Sequence, residues 1–355
     1  MANLESRIIR SLNPDSSAND CALIEHGGQA YLYTTDSLAE GTHFRLDWSH
    51  PEDIAFKLLH VNLSDLLAAG GEPEFCLLNL GLPEYTDESF IQRFASYFRG
   101  LLQEYGCSLV GGDTFRSNGY LFSLTLSGPA LYPRFRTAST NDGLYLSGTV
   151  GLSRWGYEIL QDEGRSESLS DFIVSRHSVE SGNETLSDFA VSRPSPGRGN
   201  ENDDRAHGSA NLDETGLSNL VRENAIWKHL RPMANIEAAR QLNAMQSQSF
   251  PVSGSMDLSD GLFADCQRFA ESSGLNLEID LNQVPLPSSI QSRGPQYAAS
   301  SGEELELLVA SSAELPAGFA RIGTFGTESK SPRAVFKLDG KVVGSEPGFE
   351  HFKEI

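Results

Sequence analysis

A polar stretch from Gln161 to about Leu220 divides the apolar patterning of this chain into two blocks. It constrains the fold more than any other feature, because its composition cannot support a core of its own. It is rich in Ser, Asn, Asp, Glu and Gly and poor in aromatic residues. Within it lies a short duplication, LSDFIVSR over Leu169–Arg176 and LSDFAVSR over Leu186–Arg193, at a period of 17. Two copies fall short of the three or so that a solenoid needs. The stretch is expected to be a surface insertion, with a partner-binding module as the alternative. With roughly 100–200 residues per domain, the length suggests two domains. They are expected at 1–135 and 136–355, with the insertion at about 161–220 inside the second.

The first block alternates short strands with helices. Asp20–Glu25 and Ala30–Thr35 flank a turn at His26-Gly27-Gly28, which predicts a hairpin. Ser49-His50-Pro51-Glu52 has the spacing of a capping box with proline at the first turn. The helix it opens carries Ile54, Leu58 and Val61 on one face and ends at Gly70-Gly71. Phe75–Leu82 reads as a buried strand, and Phe90, Phe94, Phe98 and Leu101 as the stripe of a second helix. Strands are expected at Ser108–Val110 and Tyr120–Ser127. In the second block, strands are expected at Gly143–Val150, Leu275–Asp280, Glu304–Ala310 and Ala334–Leu338. Helices are expected from Leu152, over Asn235–Asn243 and over Asp260–Ser273. The fold class is α/β (α+β).

Charge narrows the partners. Lys and Arg number 27 against 48 Asp and Glu, a formal net charge of −21. Such acidity argues against nucleic acid and against an anionic membrane surface. No run of about 18 apolar residues exists, and Met1–Arg10 lacks the apolar centre of a signal peptide. Cys21, Cys76, Cys107 and Cys266 are scattered without a CxxC pair, which reads as reduced cytoplasmic thiols.

The acidic residues that matter sit at the ends of elements, flanked by glycine or hydroxyl residues. These are Asp20, Thr34-Thr35-Asp36, Asn62-Leu63-Ser64-Asp65, Gly111-Gly112-Asp113-Thr114 and Asp257-Leu258-Ser259-Asp260-Gly261. Any single one is adequately explained as a helix cap or a turn residue. Five together suggest carboxylate and hydroxyl ligands for Mg²⁺, which takes oxygen donors alongside phosphates and water. No GxxxxGK[ST] loop, kinase lysine context or GxSxG elbow is present, and the chain has six lysines. Phosphates would therefore be met by carboxylate-held metal ions and not by a lysine cradle. The residues alone point to a metal-dependent phosphate enzyme.

Asp20-Cys21-Ala22-Leu23, Thr35-Asp36 through His43-Phe44 and Lys57 through Asp65 occur in order. Gly111-Gly112-Asp113-Thr114, Arg231-Pro232, Asp257 through Leu262, Gly302-Glu303 and Gly348 through Phe352 follow. This ordered set resembles the thiamine-monophosphate kinase family, in the aminoimidazole ribonucleotide synthetase superfamily. The resemblance spans both blocks and omits the insertion. It implies a two-domain fold whose amino-terminal domains, with mixed sheets, pair across a homodimer. It further implies transfer of the γ-phosphoryl group of ATP to thiamine monophosphate, with several Mg²⁺ ions. By motif, Asp20, Thr34, Thr35, Asp36, Asp65, Asp113, Asp257 and Asp260 would be Mg²⁺ ligands. Gly112, Arg136 and Ser259 fall where the family meets ATP, and His43 and Glu303 where it meets thiamine monophosphate. Phe349 is a possible aromatic contact on that side, and no side chain is implied as a general base.

The chain also departs from the family pattern. The first-loop Gly-Asp-Asp is Ala18-Asn19-Asp20, and Gly-Gly-Glu-Asp-Tyr-Glu-Leu is Ser301-Gly302-Glu303-Glu304-Leu305-Glu306-Leu307. An aromatic position near the end is Glu346. By the family pattern these changes are expected to cluster on the substrate side. Another ATP-using member of the superfamily, or a homologue that binds without catalysis, remains the alternative.

Overall fold

The computed structural model describes residues 8, 11–12, 19–164 and 214–344. The first block builds a five-stranded sheet in the order β1-β2-β5-β3-β4. Its strands are β1 Ala22–His26, β2 Gln29–Ala39, β3 Phe75–Leu82, β4 Ser108–Arg116 and β5 Leu121–Pro129. All pairings are antiparallel except β3 with β4, whose parallel connection is made by a helix. The expected hairpin is present, and β3 has the expected bounds.

Helices α1 (Pro51–Ala68) and α2 (Glu88–Glu104) cover one face of this sheet. Phe94, Phe98 and Leu101 of the expected stripe are buried there, against Phe122 of β5. The α1 capping box closes one residue later than the sequence suggested. The His50 N–H donates to Asp53 Oδ2 at 2.8 Å, because Pro51 takes the first helical position. Asp53 also meets Arg231 Nε at 2.7 Å, a pair in which both side chains are almost wholly buried.

The second sheet has seven strands in the order β12-β11-β8-β10-β6-β9-β7. They are β6 Gly143–Ser147, β7 Val252–Leu258, β8 Leu275–Asp280, β9 Glu306–Ser311, β10 Phe319–Glu328, β11 Ala334–Leu338 and β12 Lys341–Val343. The sequence reading missed β10 altogether, since its Gly323 and Gly326 interrupt the alternation. The accompanying helices are α3 Leu152–Glu163, α4 Glu214–Leu230, α5 Ile236–Ser247, α6 Leu262–Ser273 and the short α7 Pro295–Ala299. The left-handed Gly274 stops α6 as expected. Helix α3 continues past Gln161 and α4 begins at Glu214, so both edges assigned to the insertion are helical. The duplicated segments lie outside the described residues.

One apolar core joins the two sheets. Leu58, Leu63 and Leu66 of α1 belong to the same buried cluster as Trp227 of α4, Leu242 of α5, and Leu307 and Val309 of β9. A second cluster fills the space between α6 and the other face of the seven-stranded sheet. Arg134 is buried at the junction. Its Nη2 donates to the Leu67 carbonyl at 3.0 Å and its Nε to Ser255 Oγ at 3.1 Å. The carboxyl half of α1 is thereby held against β7, with Ser255 Oγ donating to the Ala68 carbonyl at 2.6 Å.

Candidate active site

The α1–β7 junction places acidic residues from distant parts of the sequence side by side. Along β2, alternation sends Leu32, Thr34 and Leu38 toward α1 and leaves Thr35 and Ser37 on the opposite, exposed face. Asp36 lies on the α1 side, its N–H donating to Asn62 Oδ1 at 2.9 Å. Thr34 Oγ1 donates to Asp65 Oδ2 at 2.8 Å. Carboxylate oxygens of Asp20, Asp65 and Asp257 all lie within 4.8 Å of one another. Four carboxylates thus crowd one junction, and among the described residues Arg136 pairs with one of them, Asp20. Its Nε approaches Asp20 Oδ2 at 3.2 Å, and its Nη2 meets Asp20 Oδ1.

The electrostatics follow. Burial, then the negative charges of Asp36 and Asp257, pushes the Asp65 carboxyl well above its ordinary value. Burial likewise raises Asp257. Asp257 Oδ1 and Ser64 Oγ are buried with no hydrogen-bond partner among the described residues. Asn19 Oδ1 accepts from the Arg136 N–H at 3.3 Å.

A second acidic group lies at the start of α6. Asp265 is fully buried and accepts from the N–H groups of Ser259 and Asp260 at 3.1 and 2.9 Å. Arg268 pairs with both Asp260 and Asp265. Burial foremost, then Asp260, pushes the Asp265 carboxyl up to about 7. The sequence reading did not select Asp265. Its signal was an acidic residue in the first turn of a helix opened by Asp260-Gly261.

The residues expected on the acceptor side also converge. Lys57 Nζ donates to Glu303 Oε2 at 2.8 Å and to the His43 carbonyl at 3.2 Å. His43 Nδ1 accepts from the Ala39 N–H at 3.0 Å. Glu303 adopts φ 54°, unusual without a glycine, and its N–H donates to the Ser259 carbonyl at 2.6 Å.

The Glu304 and Leu305 departures are not on the substrate surface, which corrects the sequence reading. Glu304 is fully buried, and its Oε1 accepts from the N–H groups of Gly151 and Ser153 at 2.6 and 3.1 Å. It therefore caps α3 from a distant segment. Leu305 is a core residue.

Other expected residues stand apart. Asp113 lies on β4, which is exposed along its length, in register with Asn79. Register across β3 and β5 puts Asp113 on the same open face as Thr35 and Ser37. Gly112 answers to packing, since a Cβ there would run into the Leu78 carbonyl of β3. Phe349 and Glu346 lie outside the described residues.

Residues 18–130 match the family model described as AIR synthase related protein, N-terminal domain. The chain is 35% identical to the thiamine-monophosphate kinase of Leptospira interrogans, covering 98% of this chain and 97% of that protein. It is 29% identical to the thiamine-monophosphate kinase of Aquifex aeolicus, over 98% of this chain and 94% of that one. A solved structure described as AaThiL complexed with AMPPCP and TMP superposes with a TM-score of 0.71 at 26% identity, covering 99% of both chains. Hydrogenase maturation protein HypE in complex with ATP, at 15% identity and a TM-score of 0.59, shares the fold over 98% of this chain and 95% of that one. With the Leptospira relative aligned over nearly its whole length, this chain belongs to the thiamine-monophosphate kinase family.

Proposed function

We propose that this protein transfers the γ-phosphoryl group of ATP directly and in line to the phosphate of thiamine monophosphate, producing thiamine diphosphate. The observation that carries the reading is the cluster of Asp20, Asp65 and Asp257, with Asp36 and Thr34 beside it and a buried, unpartnered Asp257 Oδ1. Names among the relatives point the same way, as does the AaThiL structure complexed with AMPPCP and TMP.

The donor set is all oxygen and carries more negative charge than Arg136 offsets, which fits Mg²⁺. Asp20, Asp36, Asp65 and Asp257 would hold such ions, with Thr34 and, at the α6 side, Asp260. Bound there, Mg²⁺ supplies the positive charge that lets two polyanions approach. The protein's own part is to fix those oxygens on rigid elements. Thr34 orients Asp65, Asn62 holds the Asp36 backbone, and Ser255 and Arg134 lock α1 to β7. The accepting phosphate needs no general base, since its second pKa is about 6. Arg136 and Ser259 are assigned to ATP, and His43 and Glu303 to the acceptor.

Thr35, Gly112 and Asp113 stand on or beside the open face of the five-stranded sheet. They would reach a phosphate site only if two copies pair through that face, so a homodimer belongs to the proposal, as does a domain boundary near residue 135. The four cysteines are free and buried, and no helix among the described residues is long and apolar enough to cross a membrane. A cytoplasmic enzyme fits both, with no nucleic-acid partner at a net charge of −21.

The binding-only alternative drew on the substrate-side departures. The burial of Glu304 and Leu305 removes two of them from its support. Purified protein incubated with ATP, Mg²⁺ and thiamine monophosphate should form thiamine diphosphate, resolved by chromatography. Nucleotide binding without product would leave the binding-only reading standing instead.

A further inference from the structure

Lys57 has no place in the phosphate site, yet it is among the most committed side chains in the fold. It precedes Asp65 by eight residues on α1, about 12 Å along the helix axis at about 1.5 Å per residue. Its side chain is 4% exposed. A buried ammonium is costly unless a carboxylate and good hydrogen bonds offset it. Lys57 has both, through Glu303 Oε2 and the His43 carbonyl. Those are the two residues assigned to the acceptor.

Glu303 is held from several directions. Its backbone is fixed in a left-handed conformation against Ser259. Both Lys57 Nζ and His229 Nδ1, the latter at 3.7 Å, approach the same carboxylate oxygen, Oε2. No described residue hydrogen-bonds Oε1, and the side chain is 28% exposed. Beside it, the His229 ring meets Trp48 edge-on at 6.5 Å and Tyr157 at 5.4 Å, and Tyr157 is partly open to solvent. A single accepting oxygen next to an aromatic face suits a nitrogen-bearing heteroaromatic ring, cationic or amino-substituted.

We propose that Lys57 is a positioning residue, clamping one oxygen of Glu303 so that the other faces the heteroaromatic part of the acceptor with Tyr157 alongside. This rests on the thiamine-monophosphate reading and adds to it a specificity device. Helix α1 would then set the spacing between ring recognition at Lys57 and phosphate chemistry at Asp65.

A double-mutant cycle tests the clamp, using steady-state kinetics on the full-length protein. Lys57→Met and Glu303→Gln should each raise the KM for thiamine monophosphate by about 10- to 100-fold, while the KM for ATP stays within about twofold. The double variant should be no worse than the worse single variant, because Lys57 acts through Glu303. Lys57→Arg should recover part of the loss, and it carries the same cycle if Lys57→Met does not fold. Multiplicative effects of the two substitutions, or equal rises in both KM values, would overturn the clamp alone. A wild-type protein that makes no thiamine diphosphate would overturn the underlying reaction, and the clamp with it.

Discussion

Replacing Asp65 by Asn separates a metal ligand from a structural carboxylate more sharply than any other change. Carboxylate oxygens of Asp65 and Asp257 lie within 4.8 Å. At an effective dielectric constant of about 20, two unit charges at that separation repel by about 3.5 kcal/mol. Asp20 is offset by Arg136, so Asp257 and Asp36 are the neighbours that matter. The amide keeps the shape and keeps an oxygen to accept from Thr34 Oγ1, which donates to Asp65 at 2.8 Å. Because Asp65 is already pushed toward protonation, only part of the repulsion is relieved at neutral pH. The metal-free variant should therefore gain about 1–3 kcal/mol, or about 2–5 °C in Tm. Thermal melts in EDTA and in Mg²⁺ give the readout. Wild type should be stabilised by Mg²⁺, by about 2.7 kcal/mol at a hundredfold excess over Kd. Asp65→Asn should lose most of that response and about 100-fold or more of its turnover. A variant that is less stable in EDTA, or that keeps its Mg²⁺ response and turnover, would refute the reasoning.

The buried Arg231–Asp53 pair makes a contrasting case. Arg231→Met should cost about 3–5 kcal/mol by stranding Asp53, as read from urea denaturation, whether or not Mg²⁺ is present. His60 is buried against Phe56 at 4.0 Å, and burial depresses its pKa to about 3, against about 6.5 when unfolded. The unfolded chain therefore binds the proton first. Stability should fall as pH drops below about 6.5, by about 2 kcal/mol at pH 5, and His60→Phe should flatten that slope in pH-dependent melts. Deleting Ser168–Ala210 should leave turnover within about twofold if the insertion is only a surface loop, and a collapse of activity or of the oligomer in gel filtration would show otherwise. If Asp113 completes a site across two copies, Asp113→Asn should lower turnover at least tenfold without shifting the metal-free Tm by more than about 2 °C.

Local patterns in the sequence were enough for much of the scaffold. The stripe of Phe94, Phe98 and Leu101, the apolar run of β3, and Gly274 after α6 are signals carried by neighbours a few residues apart. Composition marked the chain from Gln161 to Leu220 as different, but it could not show that both edges continue as helices supported by packing on each other. The aspartates were legible as a set because each sits in a short motif flanked by glycine or hydroxyl residues, although Asp36 and Asp113 lie within β2 and β4 and not at their ends as expected. Which of them meet was not. Thr34 and Thr35 are adjacent in sequence, yet strand alternation sends them to opposite faces of β2, one to Asp65 and the other to the open side. Glu304, expected on the substrate side, turns inward and accepts from the amides that open α3. Lys57 stood in the sequence only as part of a motif, and Asp265 was not selected, because what each side chain meets is set by the fold. Glu303 lies 246 residues from Lys57, and the N–H groups that Asp265 holds belong to the turn between β7 and α6. The sequence determined which side chains exist and which local elements present them. Tertiary packing of α1 against β7 decided which carboxylates share one buried space, because charge repulsion and burial depend on distances that periodicity does not encode.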